Sequence, residues 1–174
     1  SNWPGSQIAY AGDNNTLNVG AGYSGVVWLN PQSKVEYKTG VNDIDASAAD
    51  GNLILVGRGN VGTLIKGGRG TNAMWGGGSS QDILQGGSGA NTFWYASGDG
   101  TDTVTNFHSG TDKINYYAGG FDRIGSSGGD VVIGAGDGSL TIKDAAARRL
   151  DVLLGGTDYR CWFGRSDRDS SVVA

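Results

Sequence analysis

Four near-copies of one nonapeptide, G-G-x-G-x-D-x-U-x with U a large apolar residue, stand in close succession between residues 67 and 105. The first reads Gly67-Gly68-Arg69-Gly70-Thr71-Asn72-Ala73-Met74-Trp75. After one extra residue, Gly76, the second reads Gly77-Gly78-Ser79-Ser80-Gln81-Asp82-Ile83-Leu84-Gln85. The third, Gly86-Gly87-Ser88-Gly89-Ala90-Asn91-Thr92-Phe93-Trp94, follows directly. A two-residue offset precedes the fourth, Ser97-Gly98-Asp99-Gly100-Thr101-Asp102-Thr103-Val104-Thr105. So short a period leaves room for a tight turn and a very short strand. The repeated glycines permit positive φ in the turns. In each strand the U residue (Met74, Leu84, Phe93 or Val104) points inward while its neighbours point outward. Two nonapeptides make one coil, so turns about 18 residues apart stack on the same edge. No coil can bury its apolar residue alone, and stability comes from stacking.

Composition agrees with this reading. Glycine supplies 33 of 174 residues, without a collagen-like Gly-X-Y period, while 37% of residues are apolar and five Trp and seven Tyr need packing. The net charge is −4 and no basic stripe is present, which excludes a nucleic-acid footprint. No apolar run reaches the length of a membrane span. One cysteine, Cys161, excludes an internal disulfide.

Outside the four copies the pattern loosens. Ser47 to Leu55 reads as a degenerate copy with Asn52 at the position of the repeat aspartate and Ile54 at the apolar position, and Tyr10 to Val19, with Asn15 and Leu17, as a weaker one. Val26-Val27-Trp28-Leu29 reads as a longer strand. Downstream, Lys113–Tyr116, Val131–Ile133, Leu140–Lys143 and Leu150–Leu154 read as ordinary strands, with Gly136-Asp137-Gly138 as a hairpin turn. Asp144 to Arg149 fits a short helix or a loop. The expected fold is all-β: a parallel β-roll (a β-solenoid) with a C-terminal antiparallel β cap. Residues 1–66 form degenerate N-terminal coils, 67–107 the nonapeptide roll and 108–174 the cap, all in one continuous unit.

Residues 67–105 resemble the hemolysin-type calcium-binding repeats, also called repeats-in-toxin. Phe93-Trp94-Tyr95, Gly98 to Phe107 and Gly110-Thr-Asp-Lys-Ile114 extend the likeness to the end of the β-roll in the C-terminal domain of serralysin-type metalloproteases. Residues 129–143 and Tyr159-Arg-Cys-Trp162-Phe163 resemble segments of large bacterial surface proteins. The resemblance implies a secreted or cell-surface bacterial protein that leaves through a type I exporter and folds outside on meeting calcium. The chain would then be a module of a larger parent protein.

In such repeats the sixth-position aspartate coordinates calcium together with turn carbonyls and an aspartate of the stacked turn. Here Asp82 and Asp102 fall on one edge and Asn72 and Asn91 on the other. Carboxylate count sets calcium affinity, so Asp82 and Asp102 are the preferred ligands, with the carbonyls of Gly78, Ser80, Gly98 and Gly100 as co-ligands. Asp99 is either a ligand or a solvated neighbour, the latter favoured. Asn72 and Asn91, with Gly68, Gly70, Gly87 and Gly89, form the weaker candidate. Asn tolerates left-handed backbone and bonds its own turn without metal, so an amide ladder, extended by Asn52 and Asn15, is the competing reading.

No catalytic constellation stands out. Gly57-Arg58-Gly59-Asn60-Val61-Gly62 matches G-x-G-x-x-G, but no helix-length segment follows to hold a pyrophosphate. His108 is the single histidine, H-E-x-x-H is absent, and no G-x-S-x-G elbow exists. Cys161 reads as a buried structural thiol. The expected function is a non-catalytic, calcium-stabilised structural module. The alternative is a carbohydrate- or host-surface-binding adhesin module that uses Trp75 and Trp94, outward-facing and one coil apart. Burial of that aromatic face beneath neighbouring coils or the cap is favoured, because exposed aromatic patches are uncommon on monomers.

Overall fold

The computed structural model describes residues 8–10, 16–28, 43–57, 61–78, 80–118, 123–154, 157–162 and 171–173. Asn15, Leu29, Ser79 and Phe163 lie outside the described residues. The first eleven strands are β1 (Ile8–Tyr10), β2 (Thr16–Val19), β3 (Gly25–Trp28), β4 (Asp43–Asp45), β5 (Leu53–Val56), β6 (Leu64–Lys66), β7 (Asn72–Trp75), β8 (Ile83–Gln85), β9 (Asn91–Tyr95), β10 (Thr101–Thr105) and β11 (Lys113–Tyr116). The remaining six are β12 (Arg123–Ser127), β13 (Asp130–Ala135), β14 (Gly138–Ile142), β15 (Arg149–Leu154), β16 (Thr157–Trp162) and β17 (Ser171–Val173). The described residues contain no helix, so none is long and apolar enough to cross a membrane.

From β2 to β11 the strands alternate between two sheets, so each circuit of the chain lays one strand on each. One sheet runs β1-β2-β4-β6-β8-β10-β14-β13-β12, the other β17-β16-β15-β11-β9-β7-β5-β3. Strands on neighbouring circuits pair parallel throughout, β2 through β10 to β14 in one sheet and β3 through β11 to β15 in the other. Parallel stacking therefore does not stop at residue 107 but takes in β11, β14 and β15. Among the described residues, antiparallel strands are added only at the ends: β1 on β2, β13 and β12 beyond β14, and β16 and β17 beyond β15.

Register places the predicted apolar positions in two facing columns. Ile44, Ile65, Leu84, Val104 and Ile142 line one sheet, and Val27, Leu55, Met74, Phe93, Ile114 and Val152 the other, none more than 1% exposed. Each fully buried side chain of this size contributes about 1.5–3 kcal/mol from transfer out of water. Met74, Leu84, Phe93 and Val104 are inward as the repeat predicts.

The degenerate copy before them is shifted by one residue. Leu53 pairs with Asn72 and Leu55 with Met74, so Leu55 is buried while Ile54 is 49% exposed. A one-residue slip exchanges the faces of a strand, and Leu53-Ile54-Leu55 is apolar at every position, so its composition gives no phase. Gly136 and Asp137 form the expected hairpin between β13 and β14, with Gly136 at φ +58°. Residues 144–148 are turns and bends rather than a helix, opened by Asp144 at φ +57°, and Arg149 already begins β15.

Candidate metal centre

Two columns of polar residues run along the turn edges of the stack, just before the apolar columns. On the edge leading into β8 and β10, Thr63, Asp82 and Asp102 follow one another on successive circuits, and Leu140 ends the column. The opposite edge stacks Asn72, Asn91 and Asp112 between Leu53 and Leu150. The pairing expected from the repeat, Asp82 with Asp102 and Asn72 with Asn91, is thus the pairing of the fold.

Asp82 and Asp102 are each 1% exposed. Asp82 Oδ1 accepts the Thr63 N–H at 2.7 Å, its Oδ2 accepts the Ser80 hydroxyl at 2.9 Å, and Asp102 Oδ1 accepts the Asp82 N–H at 3.0 Å. These neutral donors do not balance the charge. Among the described residues, no Lys, Arg or His pairs with either carboxylate. Burial pushes the Asp82 carboxyl above the ordinary range and takes Asp102 up to about 8, with the charges of Asp82 and Asp99 adding to the shift at Asp102. A buried anionic pair without a counter-charge is costly.

Asp99 is not the solvated neighbour expected from sequence. It is 5% exposed, and its Oδ2 accepts the Trp75 indole N–H at 3.0 Å and the Ala96 N–H at 2.8 Å. Burial raises its carboxyl as well. The indole fixes this orientation, so Asp99 supports the aromatic face and adds negative charge behind the pair.

The expected carbonyl co-ligands differ in availability. Ser80 and Gly100 form a parallel bridge between stacked turns, and the Ser80 carbonyl accepts the Thr101 N–H. The Gly100 carbonyl already accepts two donors, the Ser139 N–H at 3.0 Å and the Tyr95 hydroxyl at 2.8 Å. A carbonyl oxygen has two lone pairs, which leaves Gly78, Ser80 and Gly98 better placed than Gly100. Among the described residues, no three His, Cys, Asp or Glu side chains converge as a metal-ligand group. Any cation here would complete its shell from backbone oxygens, the Ser80 hydroxyl or water, as calcium commonly does.

The second edge is saturated with hydrogen bonds. Asn72 and Asn91 are wholly buried, and their carboxamides bond the carbonyls of Gly68, Gly70, Gly87 and Gly89. Asn52 stands outside this ladder, exposed, accepting the Thr71 N–H instead. Asp112 is the residue that sequence reasoning missed. Its Oδ1 accepts the backbone and side-chain N–H groups of Asn91, and its Oδ2 accepts the His108 N–H. The signal is present: Asp112-Lys113-Ile114 repeats the spacing of Asn91-Thr92-Phe93, without the double glycine that marks the first three copies.

The aromatic face is partly open: Trp75 is half-buried, its indole bonded to Asp99, while its neighbours reach solvent. Trp94 is 39% and Tyr117 41% exposed, their ring centroids 5.7 Å apart, while Trp75 packs edge-on against Tyr117 at 6.1 Å. A groove of about 220 Å³ beside Trp75 and Trp94 is lined by Ile54, Val56 and Ala73 among others. Tyr95 and Tyr116 lie inside the core.

No protein-family model matches the chain, and no curated protein matches it. Among solved structures, the extracellular lipase LipA from Serratia marcescens is similar at a TM-score of 0.36 and 19% identity, over 78% of this chain and 18% of the lipase chain. The chain thus spans a minor part of that lipase's length.

Proposed function

We propose that the chain is a non-catalytic, calcium-binding β-roll module of a secreted or cell-surface bacterial protein. The observation that carries this reading is the stacked, buried carboxylate pair Asp82/Asp102, which lacks a cationic partner among the described residues. Asp82 and Asp102, with the carbonyls of Gly78, Ser80 and Gly98, would hold the ion. Oxygen-only donors on a turn edge suit a hard divalent cation, and its charge would relieve the burial penalty of the pair. Where calcium is scarce, this edge closes only by keeping Asp102 protonated or by burying an unpaired charge, so closure weakens as pH rises. Outside the cell, where calcium is plentiful, the same edge closes and the stack completes. The antiparallel strands beyond β14 and β15 cover the last circuit and serve as the cap.

Calorimetric titration of the EDTA-treated protein is expected to show saturable calcium binding at about millimolar concentration or below, the range of extracellular calcium modules. The same titration of Asp82→Asn/Asp102→Asn is expected to be flat. No heat of binding in the wild-type chain would sink the reading.

Exposure of Trp94 and Tyr117 favours a second reading, attachment to carbohydrate or a host surface through the aromatic face. Ring faces of this kind stack against the C–H faces of sugars. Binding on a glycan array, lost in Trp94→Ala/Tyr117→Ala with an unchanged melting temperature, is the expected result. An array without signal for the wild-type chain counts against it.

A further inference from the structure

Three oxygens converge on the side-chain nitrogen of Asn72: the carbonyls of Gly68 and Gly70, each at 3.0 Å, and Asn91 Oδ1 at 2.9 Å. One circuit further on, the carbonyls of Gly87 at 3.1 Å and Gly89 at 2.9 Å and Asp112 Oδ1 at 3.0 Å converge on Asn91 Nδ2. The orientation of both carboxamides is determined by their surroundings. Asn72 Oδ1 accepts the Gly68 N–H at 3.0 Å and Asn91 Oδ1 the Gly87 N–H at 3.1 Å. A flipped amide would set donor against donor and oxygen against oxygen.

Two turn carbonyls and one side-chain oxygen from the stacked turn are the donors a hard cation would draw on in such a turn. Here an N–H group sits among them. We propose that Asn72 and Asn91 are built-in substitutes for a cation, zipping their edge without metal and confining the metal response to the Asp82/Asp102 edge. The nitrogen carries partial positive charge and two protons, one of them shared between two of the three oxygens, so it holds them together while itself adding no net charge to the column. Asp112 ends the ladder in keeping with this: its oxygens take three N–H donors from Asn91 and His108. The module then has two unlike edges, one closed by its own amides and one that closes on an ion. Confinement of the response to one edge rests on the calcium reading above; the metal-free zip does not.

Amide hydrogen exchange by NMR on the full chain, in EDTA and then in calcium chloride, separates the two. The Gly68, Gly87 and His108 amides report the Asn edge; those of Thr63 and Asp82 report the Asp edge. The Asn-edge amides are expected to be protected in EDTA and to change by less than about threefold on adding calcium, the Asp-edge amides to gain about tenfold or more. Free exchange of Gly68 and Gly87 in EDTA would overturn the inference, whatever the Asp edge does. Protection of both edges in EDTA with no calcium effect leaves the amide zip standing and removes the calcium reading instead. Asn91→Asp supplies an independent measurement, because it turns an oxygen toward the Gly87 and Gly89 carbonyls and Asp112. Its Gly87 amide is expected to lose about tenfold in protection in EDTA and to recover it with calcium. Wild-type protection of Gly87 in that variant in EDTA would also overturn the inference.

Discussion

Asp102→Asn is expected to melt at a higher temperature than the wild-type protein in EDTA at alkaline pH, and to lose the wild-type gain on adding calcium. The Asp102 carboxyl stands at about 8 in the folded chain against an ordinary 3.8, chiefly through burial. The folded state therefore holds this proton more tightly than the unfolded chain does. Its contribution to stability is complete below about pH 4 and is lost as pH rises through about 8. Asp82 and Asp99 are shifted in the same direction. The metal-free wild-type protein should thus melt at progressively lower temperature from about pH 5 to about pH 8, with a shallower decline in the variant. On the proposed reading, calcium is expected to reverse the order. At a concentration about a hundred times its Kd it would add about 3 kcal/mol, or about 5–10 °C for a chain of this size, and only where both carboxylates are present. A wild-type melting temperature that climbs across that pH interval in EDTA would contradict the account.

Gly100→Ala is expected to cost more than about 3 kcal/mol, on a par with truncating a core residue such as Leu84 to Ala. Gly100 sits at φ +98°, and a Cβ there would fall on the Ser80 carbonyl oxygen and within 2.7 Å of Ser80 N. Neither turn can retreat. The Ser80 carbonyl holds the Thr101 N–H, and the Gly100 carbonyl holds Ser139 N–H and the Tyr95 hydroxyl. Gly98 is the internal control, with a similar φ of +96° but nothing within 4 Å of a built Cβ. Gly98→Ala should cost only the conformational strain, about 1–2 kcal/mol. Equal losses in urea denaturation of the two variants would show that strain, and not close stacking of turns, sets the requirement for glycine.

That contrast also marks how far the sequence could be read. Where double glycine, polar sixth residue and U recur, strand phase, inward side chains and turn edges are all legible, and Asp82 meets Asp102 as the spacing requires. Before residue 67 the phase is lost at Leu53-Ile54-Leu55, because three apolar residues in a row fit either face and Asn52 imitates the repeat. After residue 105, Asp112 carries on the Asn column without glycines to announce it. The extent of parallel stacking was hidden for a related reason: β14 and β15 join the stack after a hairpin excursion, and only pairing across the fold reveals it. The burial of Asp99 is not legible in the sequence because its partner, the Trp75 indole, comes from a different circuit.

Successive circuits are not equal in length. Asn72 to Asn91 spans 19 positions, Asp82 to Asp102 spans 20, and Asn91 to Asp112 spans 21. Each surplus residue is taken up in a turn, while the strands keep phase with the circuit below. The chain's length is thus quantised in its strands and continuous in its turns. Such a stack can gain or lose a whole circuit, or a residue at a bend, and still present the same columns. One residue added inside a strand would exchange core for surface along everything that strand contributes.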